Sequence, residues 1–157
     1  MPVLEKLDLS KNRITSILHI ENVPKLTEID FEGNLIETFE EEDLLPELPA
    51  LTFLSFKTNA FKDPVALKSL NYYKGLTDIN VEECAGFEEL ADSLKKEVLI
   101  VLQNLPKING EEVEEEEREE AVAEAEEREK KAEEERLEAE REAREAAERG
   151  EGEQAED

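Results

Sequence analysis

Apolar positions in this chain return in blocks, each opening as a short alternating stretch and closing on wider spacing. Leu4, Leu7, Leu9, Asn12, Ile14 and Ile17 set out the pattern L-x-x-L-x-L-x-x-N-x-I-x-x-I. Leu26, Ile29, Phe31, Asn34, Ile36 and Phe39 repeat it, as do Leu51, Leu54, Phe56, Asn59 and Phe61. A fourth copy, Leu76, Ile79, Val81 and Cys84, degenerates after that point. The copies start at 4, 26, 51 and 76, so they lie 22, 25 and 25 residues apart. A fixed period of this length marks a solenoid in which each copy is one supersecondary unit that stacks on its neighbours.

Alternate side chains of a strand point to opposite faces, so Leu7 and Leu9 are expected in the core while Asp8 faces solvent. The Asn that follows can hydrogen-bond the backbone where the chain turns away from the strand. Cys84 takes that place in the fourth copy. It reads as a small buried substitute rather than a reactive thiol, because no basic neighbour lowers its pKa. Ile17, Ile20 and Val23 return the first copy across the convex side, and Pro24 closes it. His19 falls on that convex surface. In the second copy an acidic run at 40–43 reads as a solvated loop rather than a cation site, since nothing fixes its oxygens as a calcium loop would. Residues 44–49 then form a short helix or turn. Asp63 can cap a helix that begins at Pro64 and buries Val65, Leu67 and Leu70.

A solenoid end needs a cap. Leu90, Leu94, Val98, Leu99, Val101, Leu102 and Leu105 have the spacing of an amphipathic helix ended by Pro106, and residues 107–110 give a last short strand and a turn. Leu4 has no equivalent before it. Leu4, Leu7 and Leu9 therefore form an open N-terminal edge, expected to take a partner chain. The expected fold is α/β: a right-handed leucine-rich-repeat solenoid of about four repeats with a C-terminal cap, its parallel strands on the concave side. A long charged α-helix follows. The domain boundaries are 1–110 for the repeats and cap, 111–149 for the helical tail, and 150–157 for a disordered end.

The tail changes the charge picture. Residues 111–157 hold 24 Asp/Glu and 8 Lys/Arg, a net of −16, which leaves −9 of the total −25 for residues 1–110. Glu, Ala and Arg are good helix formers, and Glu–basic pairs recur four apart, as at Glu114–Arg118, Glu124–Arg128 and Glu145–Arg149. Gly150 and Gly152 are expected to end the helix. Ala125, Ala132, Ala139 and Ala146 recur every seven residues, but no second apolar position accompanies them, as a coiled coil would require. A shallow stripe against another helix and a single solvated helix both fit.

Side chains flanking the inward residues form rows on the concave face: Lys6, Glu28, Phe53 and Asp78; Asp8, Asp30, Ser55 and Asn80; Ser10, Glu32, Lys57 and Glu82. Phe53 is the large apolar group among them and the candidate anchor for a protein partner. The acidic balance argues against nucleic acid and anionic membrane surfaces, which reward Lys and Arg. One Cys and one His make no zinc set, and no phosphate loop or nucleophile elbow occurs. No enzyme activity, cofactor, metal or small-molecule substrate is expected. The single Cys and the absence of a long apolar run or a signal-peptide pattern make an intracellular, membrane-free protein the expectation.

The first copy, LEKLDLSKNRITSI, resembles the 22-residue class of leucine-rich repeats found in phosphatase regulators, spliceosomal proteins and many ciliary proteins. Lys96-Glu97-Val98-Leu99 through Leu105-Pro106-Lys107-Ile108-Asn109-Gly110, then Glu114 to Ala121, resembles the last repeat, cap and tail of the leucine-rich repeat-containing protein 23 family of ciliary radial spokes. Members of that family usually carry more repeats, and their customary Asn-Pro is replaced here around Cys84-Ala85-Gly86. The resemblance implies a non-catalytic structural adaptor in the cytoskeleton of the cilium or flagellum, with axonemal or radial spoke proteins as partners. The alternative is an acidic leucine-rich regulator of basic nuclear proteins or of a phosphatase.

Overall fold

The computed structural model describes residues 2–18, 20–39 and 45–155. His19 and the acidic run at 40–43 lie outside the described residues. Each copy contributes one three-residue strand at its L-x-L step. These are β1 (Lys6–Asp8), β2 (Glu28–Asp30), β3 (Phe53–Ser55) and β4 (Asp78–Asn80), followed by β5 (Lys107–Ile108). All five pair in parallel and in sequence order. The register aligns Leu7, Ile29, Leu54, Ile79 and Ile108 in one inward row.

Stacking closes the core between copies. Leu26, Ile29, Phe31 and Ile36 of the second copy are 0–1% exposed, as are Leu51, Leu54, Phe56 and Phe61 of the third. Phe31 and Phe56 stack with ring centres 5.5 Å apart, and Phe61 meets Phe56 edge-on, a geometry aromatic quadrupoles favour. Leu7 and Leu9, expected in the core, are only partly buried: among the described residues β1 pairs on one side, with β2.

The Asn positions tie each copy to the one before. Asn34 donates to the carbonyls of Leu9 and Phe31, and its own Oδ1 accepts from the Ile14 amide (3.0 Å). Asn59 does the same for Phe31, Phe56 and Ile36. Cys84 keeps half of this arrangement: its buried thiol donates to Phe56 O at 3.2 Å. Burial pushes that thiol up to about 11, so at neutral pH Cys84 is an un-ionised structural donor. Thr27, Thr52 and Thr77 add a second ladder, each hydroxyl donating to a carbonyl of the preceding copy, Glu5, Thr27 and Thr52 respectively.

Asp63 caps a 3-10 helix over Pro64–Tyr72 by accepting from the Val65 amide (2.8 Å). Leu67 and Leu70 are buried there with Pro64, one residue per turn of the 3-10 helix, and Val65, a third of a turn away from that row, is 63% exposed. Residues 45–48 are irregular rather than helical, and a turn follows at Pro49 and Ala50. The closing helix is also shorter than its apolar spacing predicts. Ala91 adopts φ 38°, which breaks the helical run, and only α1 (Leu94–Val101) is α-helical.

Beyond β5 the chain makes a hairpin that the sequence reading missed. Asn109 (φ 54°) and Gly110 (φ 77°) form a two-residue turn, and β6 (Glu111–Glu112) pairs antiparallel with β5. Two consecutive positive φ values are what a tight hairpin requires, and Asn-Gly supplies them with least strain. Asn109 also continues the Asn ladder, accepting from the Val81 amide at 2.8 Å.

The long helix α2 spans Glu115–Ala155. Its start belongs to the first of two compact units, residues 1–121. Glu117 reaches back to accept from the Glu114 amide (2.9 Å), half of a capping box. Lys95 of α1 donates to Glu112 O and pairs with Glu117 (2.9 Å), which holds the Glu117 carboxyl below its ordinary range. Arg118, expected to face Glu114, donates to the carbonyls of Gln103 and Leu105 behind α1. Ala121 is fully buried. In the second unit, residues 122–157, Arg128 pairs with Glu124 as the spacing predicts, and Arg141 and Arg144 pair with Glu145 and Glu148. The backbone stays helical through Gly150 and Gly152 to Ala155, beyond the predicted end at 149. Each glycine costs a helix only about 1 kcal/mol, which favourable neighbours can offset.

Candidate protein-binding surface

The register places the outward rows as their spacing predicts. Lys6, Glu28, Phe53 and Asp78 lie side by side, and Lys107 extends that row on β5. Asp8, Asp30, Ser55 and Asn80 form the second row. Lys107 was missing from the rows read off the sequence, although residues 107 and 108 already read as a strand.

Within the first row Lys6 lies on Glu28 (3.0 Å). Phe53 is partly buried between Glu28 and Asp78 rather than fully exposed. The second row is shaped by a repeated local turn. Asp8, Asp30 and Asn80 each accept, through Oδ1, from the amide two residues on (Ser10, Glu32 and Glu82), the turn that Asp and Asn favour. Ser10 also donates its hydroxyl to Asp8, and these donors hold the Asp8 carboxyl below its ordinary range. Ser55 does not belong to an accessible surface: it is 6% exposed, and its side chain is closed off between the flanking strands. Lys57, beyond β3, pairs with Glu83 (3.6 Å). Lys6 and Lys57, cations of two different rows, are thus engaged with carboxylates, and the face is acidic on balance, with one aromatic near its middle.

A family model described as leucine-rich repeats in two copies matches residues 2–46. That match takes in the first two of the four copies. A chain from the crystal structure of the Drosophila melanogaster SNF/U2A' complex superposes on this one with a TM-score of 0.65 and 16% sequence identity. That match covers 76% of this chain and 67% of the other, and at such identity the likeness is one of fold. No curated protein sequence matches the chain. The strand face offers what protein recognition uses: backbone-held carboxylates, an aromatic and cations in fixed rows. Among the described residues no group of three His, Cys, Asp or Glu side chains is set to hold a metal ion. No described helix is long and apolar enough to cross a membrane.

Proposed function

We propose that the chain is a non-catalytic protein–protein interaction scaffold whose outer sheet face takes a protein partner. The observation that carries this reading is the alignment of five parallel strands, which holds Glu28, Phe53, Asp78, Asp8 and Asp30 in adjacent rows on a rigid support. A binding face built on strands loses little side-chain and backbone freedom on docking, so its contacts are realised at low entropic cost. The similar fold in the SNF/U2A' complex belongs to a chain crystallised within an assembly, and the same kind of role is proposed here.

The more specific reading is a structural component of the ciliary axoneme associated with the radial spokes. It rests on the resemblance carried by Lys96 to Gly110 and Glu114 to Ala121, the segment that folds as α1, the β5–β6 hairpin and the buried start of α2. The acidic face also suits a basic partner, which favours the second reading, a regulator of basic nuclear proteins or of a phosphatase. Imaging the tagged chain in ciliated cells separates the two. Signal along the axoneme is the expected result, and signal confined to the nucleus would replace the first reading with the second.

A further inference from the structure

An acidic trough runs along β3 on the outer sheet face. We propose that it takes an arginine side chain of a basic protein segment, the guanidinium stacked on Phe53 and held by the Asp78 carboxylate. The inference rests on the reading of this face as a protein-binding surface and adds the partner's chemistry. The register builds the trough. Phe53, Ser55 and Lys57 follow one another along the β3 line, with Glu28, Asp30 and Glu32 on one side and Asp78, Asn80 and Glu82 on the other. Neighbouring strands lie about 4.8 Å apart, so the two acidic lines stand about 10 Å from one another with β3 as the floor. Ser55 is sunk into that floor, 6% exposed, which leaves the space above it between the walls for a long side chain.

Charge marks the trough for a cation. Glu28 already pairs with Lys6, and Lys57, the cation of the floor, pairs with Glu83. Asp78 is left over. Its Oδ1 is, among the described residues, the one buried side-chain oxygen or nitrogen without a hydrogen-bond partner. Lys107, beside it on β5, is exposed and supplies no bond to that oxygen. A buried carboxylate oxygen left unpaired costs more than an unpaired neutral acceptor, so a donor arriving with a partner relieves it. Rotation about the Asp78 Cβ–Cγ bond has broad wells and can present either oxygen to the trough.

Phe53 selects the kind of donor. Phe53 and Asp78 are direct neighbours on adjacent strands, so a cation bound to the carboxylate comes within about 6 Å of the ring, the reach of a cation–π contact. A guanidinium is planar: it stacks on an aromatic face and gives two parallel N–H bonds to one carboxylate. A lysine ammonium offers neither.

NMR titration of the 157-residue chain with two synthetic peptides, Gly-Arg-Gly-Arg-Gly and Gly-Lys-Gly-Lys-Gly, tests the proposal. The peptides carry equal charge, so any attraction to the acidic helix α2 is common to both. The arginine peptide should bind about fivefold more tightly and shift the Phe53 ring and the amides of residues 53–57 and 78–82. Asp78→Asn keeps the shape, removes the charge and should weaken arginine binding about tenfold. Glu127→Gln removes the same charge from the exposed surface of α2 and should leave the preference for arginine unchanged. Phe53→Leu should bring the two peptides to parity. The comparison on the unaltered chain stands whatever the variants do to folding. Equal affinity of the two peptides for that chain overturns the proposal, as does arginine binding that Asp78→Asn leaves unchanged. Either result strikes the arginine site alone, since the binding role of the face is read separately, from the protein partners that the unaltered chain captures and a Phe53→Ala, Glu28→Lys variant loses.

Discussion

Gly86→Ala should destabilise the protein by about 2–4 kcal/mol, toward the upper end of what overpacking costs. Gly86 lies where the fourth copy departs from the repeat, and its amide donates to Phe61 O at 2.8 Å, drawing the two chain segments together. A methyl group added there would overlap the backbone of Lys62, its Cα, carbonyl carbon and oxygen. That backbone cannot retreat. Phe61 beside it is fully buried, and the Ala60 amide is bound to Ile36 O. A flexible side chain would yield to the new methyl group, whereas a carbonyl held in a stacked copy does not. Gly110→Ala serves as the control: its φ of 77° disfavours a side chain, but no atom lies in the way, and about 1 kcal/mol is expected. Urea unfolding of the two variants checks the order. Equal, small effects would mean that the fourth copy does not approach Lys62 as closely as described.

Leu54→Ala should cost about 2–5 kcal/mol, the range of buried leucine truncations. Leu54 is 1% exposed and stands between Ile29 and Ile79 in the inward row, so the space it leaves is walled by two strands that hydrogen bonds hold at fixed spacing. Collapse around the site is therefore limited, and cavity cost adds to lost burial. Leu7→Ala, at the same position of the first copy, should cost less, because Leu7 is already partly exposed. Thermal unfolding distinguishes them. Near-wild-type stability of Leu54→Ala would show that the inward row is assigned to the wrong face.

The parts of the fold that were legible in advance are those the repeat imposes on itself. Leu7, Leu54 and Asn59 recur because each copy must present the same inward groups to its neighbour, and Cys84 stood out by filling the Asn slot. Asp63 with Pro64 announced a helix start through local chemistry alone. The hairpin at Asn109-Gly110 carried a recognised turn signal, but the acidic residues that follow gave β6 no apolar pattern to mark it as a strand. The ladder of Thr27, Thr52 and Thr77 was visible as a residue type after the first Leu of three copies, and only the structure gives it meaning. Arg118 could not be placed from spacing. Its partner carbonyls at Gln103 and Leu105 are held by a fold-back, while Glu114 was merely near in sequence. Val65 was wrongly grouped with Leu67 and Leu70: with three residues per turn those two share a row with Pro64, and Val65 lies a third of a turn off it. The binding face was legible as geometry and not as affinity: outward positions are free of the packing that makes the inward ones repeat, so only Phe53 and the acidic bias distinguish them.

The outer face as a protein-binding surface is tested most directly by affinity capture from ciliated cells with the full chain and a face variant in parallel. Phe53→Ala combined with Glu28→Lys removes the aromatic and reverses a neighbouring charge while leaving the inward row intact. Both chains should unfold cooperatively, and the wild type should retain partners that the variant loses. A folded variant that retains the same partners in the same amounts would contradict the account.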